Sequence, residues 1–248
     1  MFAFQDTRAA VDVAFTDRHG GVSGGPYASL NLAQSGGDDQ DTVEENLRLV
    51  TEAFAATAGT TDGAGVSPVL LRMHQVHGAN VTVVDAETTQ APTSDGLVTA
   101  TAGLVLMVRV ADCVPVLLAD VARRVVGAAH AGRLGMVAGV VPNTMQAMRD
   151  LGARDITAWV GPHVCGSCYE VPDRMRAEVS AVVPEAYAET SWGTPAVDVG
   201  AGVRAQLARE CVEVVDASRC TIEDGDLFSY RRQGAASGRL AGLVWVRP

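Results

Sequence analysis

Two spacings of apolar residues recur along the chain. Alternation over residues 10–16 predicts an edge strand. A set of apolar residues three or four positions apart predicts an amphipathic helix, and Asp41 with Glu44 is typical of a capping box at its start. That apolar set is Val43, Leu47, Val50 and Phe54.

Further apolar runs predict the remaining elements. Runs rich in Val and Leu predict strands over residues 68–73, 81–85, 104–110, 114–119, 124–130, 156–160 and 240–246. Helical patterns cover 134–150, 172–182 and 200–211, and the Gly/Thr/Ala-rich residues 56–67 predict a loop. Pro142 should kink the first of these helices or start it anew.

The order of the elements indicates the fold class. Strands come in runs with helices between the runs, which favours an α+β (mixed α/β) fold with a mixed central sheet flanked by helices over strict βαβ winding. No repeat or linker interrupts the chain, so we expect residues 1–248 to form a single domain.

Composition excludes several classes of protein. Of the 248 residues 48% are hydrophobic, which is too many for a disordered chain. No apolar run reaches the ~18–20 residues that a membrane span needs, and the first residues lack the features of a signal peptide. We therefore expect a cytoplasmic protein without a membrane partner.

Charge narrows the choice of ligands. A net charge of −10 argues against nucleic acid as a partner. All 19 basic residues are Arg, which excludes lysine Schiff-base chemistry and a P-loop. Bound anions must therefore contact Arg or backbone amides, and the candidates are Arg18 in RHGGVSGG and Arg231 in FSYRRQG.

Histidine and cysteine form the main candidate site. The segments HQVHG (74–78), ADC (111–113) and HAG (130–132) hold four of these residues. A hairpin centred on residues 121–122 would place Cys113 opposite His130, although a wider loop over 120–123 is an alternative. A third ligand from HQVHG would complete two imidazoles and a thiolate, which zinc accepts with one position left open. The alternative is a buried core cysteine beside hydrogen-bonded histidines.

A second cysteine pattern is weaker. Cys165 and Cys168 form a CxxC motif, but a structural zinc needs a second pair, and Cys211 and Cys220 are nine positions apart. A thioredoxin-like pair is a further possibility. Free, partly buried thiols are the favoured interpretation.

Taken together, the motifs resemble a known family. RHGGVSGGPYASLNL, GDDQDTVEEN, HQVHG, SDGLVT, ADCVPVLLAD, HAG, GPHVCGSCYEV and FSYRRQGAASGRLAG occur in the order seen in the YfiH-type laccase-domain family. Its members are also called polyphenol oxidase-like or purine nucleoside phosphorylase-type proteins. The resemblance implies a single α/β domain, a zinc site of His77, Cys113 and His130, and cleavage of purine nucleosides by phosphate. It also implies adenosine deamination, as in some relatives.

Phosphorolysis would require further roles of the neighbouring residues. Arg18 or Arg231 would hold phosphate, and His74 would contact the substrate or support a metal ligand. Asp112 would shuttle a proton or orient a ligand. The chain departs from the family where HAGWRG reads HAGRLG, which puts Arg133 in place of Trp and Leu134 in place of Arg. Asp17 also replaces the usual Thr before the first Arg.

Three other functions compete with phosphorolysis. A copper polyphenol oxidase needs a second, imidazole-rich cluster that five histidines cannot supply, so copper is disfavoured. A cysteine hydrolase would use Cys113 as nucleophile with His77 or His130 as base. A non-catalytic role, or one in peptidoglycan quality, predicts nucleoside binding, if any, without turnover. The pattern predicts no particular oligomeric state.

Overall fold

The structure is a computed structural model that describes residues 1–57 and 68–248. Its strands are β1 Phe2–Arg8, β2 Val11–Thr16, β3 Val69–Leu71, β4 Val81–Val83, β5 Gly96–Thr99, β6 Leu104–Val110, β7 Val114–Asp120, β8 Val125–Ala131, β9 Thr157–Val160, β10 Tyr187–Glu189, β11 Pro195–Val197, β12 Glu213–Asp216 and β13 Leu240–Val246. Its α-helices are α1 Gln40–Thr57, α2 Arg133–Ala138, α3 Val140–Asp150, α4 Asp173–Val182, α5 Val199–Arg209 and α6 Tyr230–Gln233. In this described part of the chain, no helix combines the length and apolarity needed to cross a membrane.

The strands divide into two large mixed sheets. One has the order β1-β2-β13-β6-β3 and the other β12-β9-β7-β8-β5-β4, while β10 and β11 form a separate pair. The pairs β3–β6, β4–β5 and β12–β9 are parallel and the other neighbours are antiparallel. The mixed α/β fold class is confirmed, whereas the expected single central sheet is corrected to two.

Three apolar layers hold these elements together. Phe15 and Trp159, both fully buried, pack between the two sheets. Phe54 of α1 packs on the outer face of the first sheet against Trp245, with ring centroids 5.9 Å apart. Helices α2 to α5 cover the outer face of the second sheet. Each large side chain removed from water contributes about 1.5–3 kcal/mol.

Helix α1 confirms the predicted apolar face, with all four of its residues buried. Its start differs from the prediction, because α1 begins at Gln40 and the carboxylate of Asp39, not Asp41, accepts the amide hydrogen of Thr42 at 2.8 Å. Residues 56 and 57 of the predicted loop belong to α1, and residues 58–67 lie outside the described residues.

The predicted break in the helix over 134–150 is confirmed. Gly139 separates α2 from α3 with a φ of 84°, a conformation that glycine adopts without strain. Pro142 then lies in the first turn of α3, where a missing amide hydrogen breaks no helical bond. Two short strands, β5 and β12, with four residues each, were not predicted from the apolar pattern.

The hairpin of β7 and β8 has a register different from the predicted one. Pro115, not Cys113, is opposite His130, and Asp120 is opposite Val125. The loop is longer because the Asp120 carboxylate accepts the amide hydrogen of Arg123 at 2.9 Å. The shift moves the pairing by two positions, so Cys113 and His130 remain on one face as diagonal neighbours.

Candidate active site

Three chain segments converge beside the β7–β8 hairpin. The segment after β3 contributes His77, the segment between β6 and β7 contributes Cys113, and the end of β8 contributes His130. One ligand atom from each of these side chains lies within 4.8 Å of the other two. The Nε2 atom of His77 is 3.8 Å from the Cys113 sulfur, and the two imidazole centroids are 4.8 Å apart.

Asp95 organises both histidines. Its buried carboxylate lies 2.8 Å from Nδ1 of His130, and because a carboxylate only accepts, Nδ1 carries the proton. The same carboxylate accepts the amide hydrogens of Val76, His77 and Gly78 at 2.7–3.2 Å. Asp95 therefore frees Nε2 of His130 for a ligand and shapes the turn that presents His77.

The turn brings one of the two histidines of HQVHG to Cys113 and His130. His77 has a φ of 61°, which is unusual for a residue with a side chain, and it joins the three-ligand group. His74 lies outside that group but lines the adjoining cavity. No sequence pattern predicted a role for Asp95, although its SDGLVT motif is among those that carry the family resemblance.

The electrostatics of the group favour a thiolate. Burial opposes ionisation of the Cys113 thiol, but hydrogen bonding to His130 and then to His77 outweighs it and lowers the pKa to about 6. Burial likewise opposes protonation of His130, yet Asp95 and Cys113 raise its pKa to about 9. Without a cation, the group is therefore a thiolate beside an imidazolium near pH 7.

The donors fit a divalent metal ion. Two neutral imidazoles and a thiolate are ligands that zinc and copper accept. Among residues 1–57 and 68–248 this group contains three donors, so a metal held here would keep an open position. Gly132 leaves room for it, because a Cβ there would come within 2.8 Å of His77 and 3.1 Å of the Cys113 sulfur.

A cavity of about 820 Å³ opens in front of these ligands. Of the residues that the structure describes, four arginines line it, against a single carboxylate, that of Asp112. The arginines are Arg109, Arg133, Arg231 and Arg239. The cavity is therefore suited to an anionic ligand.

The arginines differ in how they are held. The half-buried Arg109 donates to Gln34 and to the Met73 carbonyl. Its Nε is buried without a partner among the described residues, and burial lowers the pKa of Arg109 to about 10. Within the described residues, the Arg133 side chain makes no hydrogen bond or ion pair. Arg231 lies over the ring of Tyr169 at 4.4 Å. Neither Arg109 nor Tyr169 was predicted from the sequence as a site residue.

Some candidate residues lie elsewhere. Arg18 is outside the cavity lining, and its guanidinium donates to the carbonyls of Ala28 and Pro26 and stacks on Phe228 at 4.5 Å. Asp17 forms an ion pair with the amino terminus at 3.0 Å. Phosphate binding by Arg18 therefore has no support from this arrangement.

Asp112 connects segments distant in sequence. It has a φ of 88°, and its buried carboxylate accepts the Thr221 hydroxyl at 2.6 Å and the Arg231 amide at 2.7 Å. Because each oxygen already accepts a bond, this geometry favours the role of orienting its neighbours over that of shuttling protons.

Cys165 and Cys168 are free thiols, half-buried and buried respectively. Burial raises the pKa of both, so without a cation they remain neutral near pH 7. They lie near Cys220 and Glu223. This juxtaposition was not predicted, because Cys220 has no cysteine partner at the spacing of a zinc-binding pair.

Known proteins resemble this chain over nearly its whole length. A Streptomyces coelicolor protein named purine nucleoside phosphorylase is 52% identical over 252 residues, covering 99% of this chain and 100% of that protein. Escherichia coli purine nucleoside phosphorylase YfiH is 35% identical and covers 92% of this chain and 91% of its own length. The crystal structure of a Neisseria meningitidis protein of family DUF152 has a TM-score of 0.85 and 33% identity over 99% of both chains.

A family model agrees with these relatives. The model described as multi-copper polyphenol oxidoreductase laccase matches residues 12–247. The resemblance to YfiH-type laccase-domain proteins is confirmed by this match and by the relatives. This chain belongs to the multi-copper polyphenol oxidoreductase laccase family.

Proposed function

We propose that this protein is a purine nucleoside phosphorylase whose His77, Cys113 and His130 hold a zinc ion. The observation that carries the proposal is an open two-imidazole, one-thiolate site at the wall of a cavity with four arginines. The names of relatives at 52% and 35% identity support purine nucleosides and phosphate as the substrates.

The arginines that line the cavity would bind the phosphate. Guanidinium groups form bidentate, charge-assisted hydrogen bonds with phosphate oxygens. Within the described residues, the Arg133 side chain makes no hydrogen bond or ion pair, so its guanidinium is available to bind phosphate at the cavity wall. Arg231 contributes a further positive charge, although its Nη1 already donates to the Glu170 carbonyl at 2.9 Å.

The same cavity suits a nucleoside. Its volume lies within the range of small-molecule sites, roughly 300–1,000 Å³. Tyr169 and the exposed Tyr230 offer aromatic faces for a purine ring, and His74 offers a polar contact at the cavity wall.

Phosphorolysis breaks the bond between the ribose C1′ and the purine and forms a bond from C1′ to a phosphate oxygen. The proton given up by inorganic phosphate goes to the departing purine, so charge and atoms balance. The arginines hold phosphate near C1′, and Asp112 fixes the backbone of Arg231. A bound zinc ion would supply Lewis acidity, which can also activate water for the deamination of adenosine.

Zinc fits the described residues better than a multi-copper centre. A laccase needs a further imidazole-rich cluster, but His19 pairs with Asp226, and His74 and His163 lie outside the three-ligand group. The described histidines therefore supply one metal site of this kind.

One observation favours a second candidate, a metal-free cysteine hydrolase. Cys113, His130 and Asp95 form a chain of thiol, imidazole and carboxylate, and the Cys113 pKa of about 6 suits a nucleophile. A chelator should leave such an enzyme active but should inactivate the zinc enzyme.

The test measures metal content and products together. The purified protein, Cys113→Ala and the matched control Cys211→Ala, which changes an exposed thiol outside the site, are incubated with adenosine with and without phosphate. We expect zinc, and ribose-1-phosphate only when phosphate is present, in the unmodified protein and the control. Inosine formed without phosphate would demonstrate deamination. Equal product from Cys113→Ala, or nucleoside binding without turnover, would contradict the proposal.

A further inference from the structure

Four potential metal ligands lie together outside the cavity. They are Cys165, Cys168, Cys220 and Glu223, and one ligand atom from each lies within 4.8 Å of the other three. We call these residues the cysteine cluster. The reaction proposed above uses none of them.

Two turns present the ligands in pairs. In the first turn, the amide hydrogens of Cys168 and Tyr169 are donated to the Cys165 carbonyl at 3.1 Å. In the second, the amide of Asp224 donates to the Cys220 carbonyl at 3.0 Å. Each turn therefore offers ligands three positions apart, the spacing found in structural zinc sites.

Backbone and side-chain bonds hold the two turns face to face. The amide of His163 donates to the Arg219 carbonyl, and the amide of Thr221 donates to the His163 carbonyl, both at 3.1 Å. The guanidinium of Arg232 donates to the carbonyls of Thr221, Ile222 and Asp224 at 2.8–2.9 Å. These hydrogen bonds therefore hold the four potential metal-ligand atoms together in the absence of a metal ion.

The separations agree with zinc. Tetrahedral zinc, with a Zn–S distance of about 2.3 Å and a Zn–O distance of about 2.0 Å, places a sulfur and an oxygen ligand roughly 3.5 Å apart. The Cys168 sulfur lies 3.5 Å from Oε1 of Glu223. Three sulfurs and a carboxylate would occupy all four positions, which is typical of a structural ion rather than a catalytic one.

We propose that the cysteine cluster binds a structural zinc ion. This ion would tie together two segments that form one wall of the cavity. Tyr169 follows Cys168 directly and stacks on Arg231, and Thr221 follows Cys220 and donates to Asp112. Zinc in the cluster would therefore fix the Tyr169–Arg231 wall of the substrate cavity.

The zinc content of a Cys113→Ser background tests this site separately from the proposed catalytic one. Cys113→Ser alone should retain one zinc equivalent. Adding Cys165→Ser and Cys220→Ser to this variant should remove that zinc, whereas adding Cys211→Ser should not. Zinc missing from Cys113→Ser, or unchanged in the triple variant, would overturn the proposal while leaving the proposed function untouched.

Two further measurements test the cysteine cluster even if the triple variant does not fold. In the unmodified protein, N-ethylmaleimide should label the exposed Cys211 but reach the cluster cysteines only after a chelator is added. At the exposed position 223, Glu223→Cys should keep the zinc and Glu223→Gln should weaken its binding. Labelling of the cluster before chelation, a Cys165–Cys168 disulfide in the unreduced protein, or equal zinc affinity in both variants would refute the site.

Discussion

Nδ1 of His130 lies 2.8 Å from the carboxylate of Asp95, and the same carboxylate holds the turn that carries His77. One buried side chain thus sets the tautomer of one proposed metal ligand and the backbone position of another. Such partners strengthen metal binding because the ligands need no reorganisation.

Asp95→Asn should weaken zinc binding about 10–100-fold. The amide would place a donor against one of the groups that now donates to Asp95, either a backbone N–H of the turn or Nδ1 of His130. Competition with a chromogenic chelator measures the affinity. The control is Asp85→Asn, which alters an exposed turn carboxylate. Equal affinity of Asp95→Asn and the unmodified protein would refute this role.

Gly132→Ala should also weaken zinc binding, for a steric reason. The added methyl would press on His77 and on the Cys113 sulfur, and overpacking of this kind costs about 1–3 kcal/mol. The backbone angles of residue 132, φ −72° and ψ 171°, suit alanine, so the effect reports the site and not backbone strain. Gly225→Ala, where a Cβ meets no atom within 4 Å, is the matched control. Unaltered zinc affinity in Gly132→Ala would show that the ligands move aside freely.

The metal-stripped protein should react with iodoacetamide at unusually low pH. The thiolate is the reactive form, and the Cys113 pKa of about 6 lies below the ordinary thiol value. The alkylation rate at Cys113 should therefore rise as pH increases through about 6 and level off by about pH 8. Peptide mass spectrometry assigns the site, and His130→Gln should move the midpoint to higher pH. A midpoint near the ordinary thiol pKa in the unmodified protein would contradict the coupling to His130.

Arg133→Gln should raise the KM for phosphate about tenfold or more, the effect of losing one charge-assisted hydrogen bond. Because the Arg133 side chain makes no hydrogen bond or ion pair within the described residues, the melting temperature should not change. Arg174→Gln removes an exposed arginine paired with Glu178 on α4 and serves as the control. Phosphorolysis assays at varied phosphate concentration measure KM. If both variants share the KM of the unmodified protein, Arg133 does not contact phosphate.

The hairpin shows how far reasoning from the sequence reaches. Strand alternation correctly predicted that Cys113 and His130 share a face, because that depends only on the parity of the spacing. The register depended on the loop, where the Asp120 carboxylate also accepts the amides of Arg154 and Asp155. Those two residues are distant in sequence, so no local pattern around the turn revealed their effect.

By itself, the sequence determined the apolar face of α1, the strands β6 to β8, the mixed α/β class and the family, because these follow from local periodicity and from motifs. The tertiary structure decided how strands divide between two sheets, which carboxylate supports His130, and which arginines face one cavity. It also placed Glu223 beside three cysteines. Periodicity shows which side of an element is apolar but not which element covers it, and contacts such as Asp95 with His130 exist only once distant segments have packed.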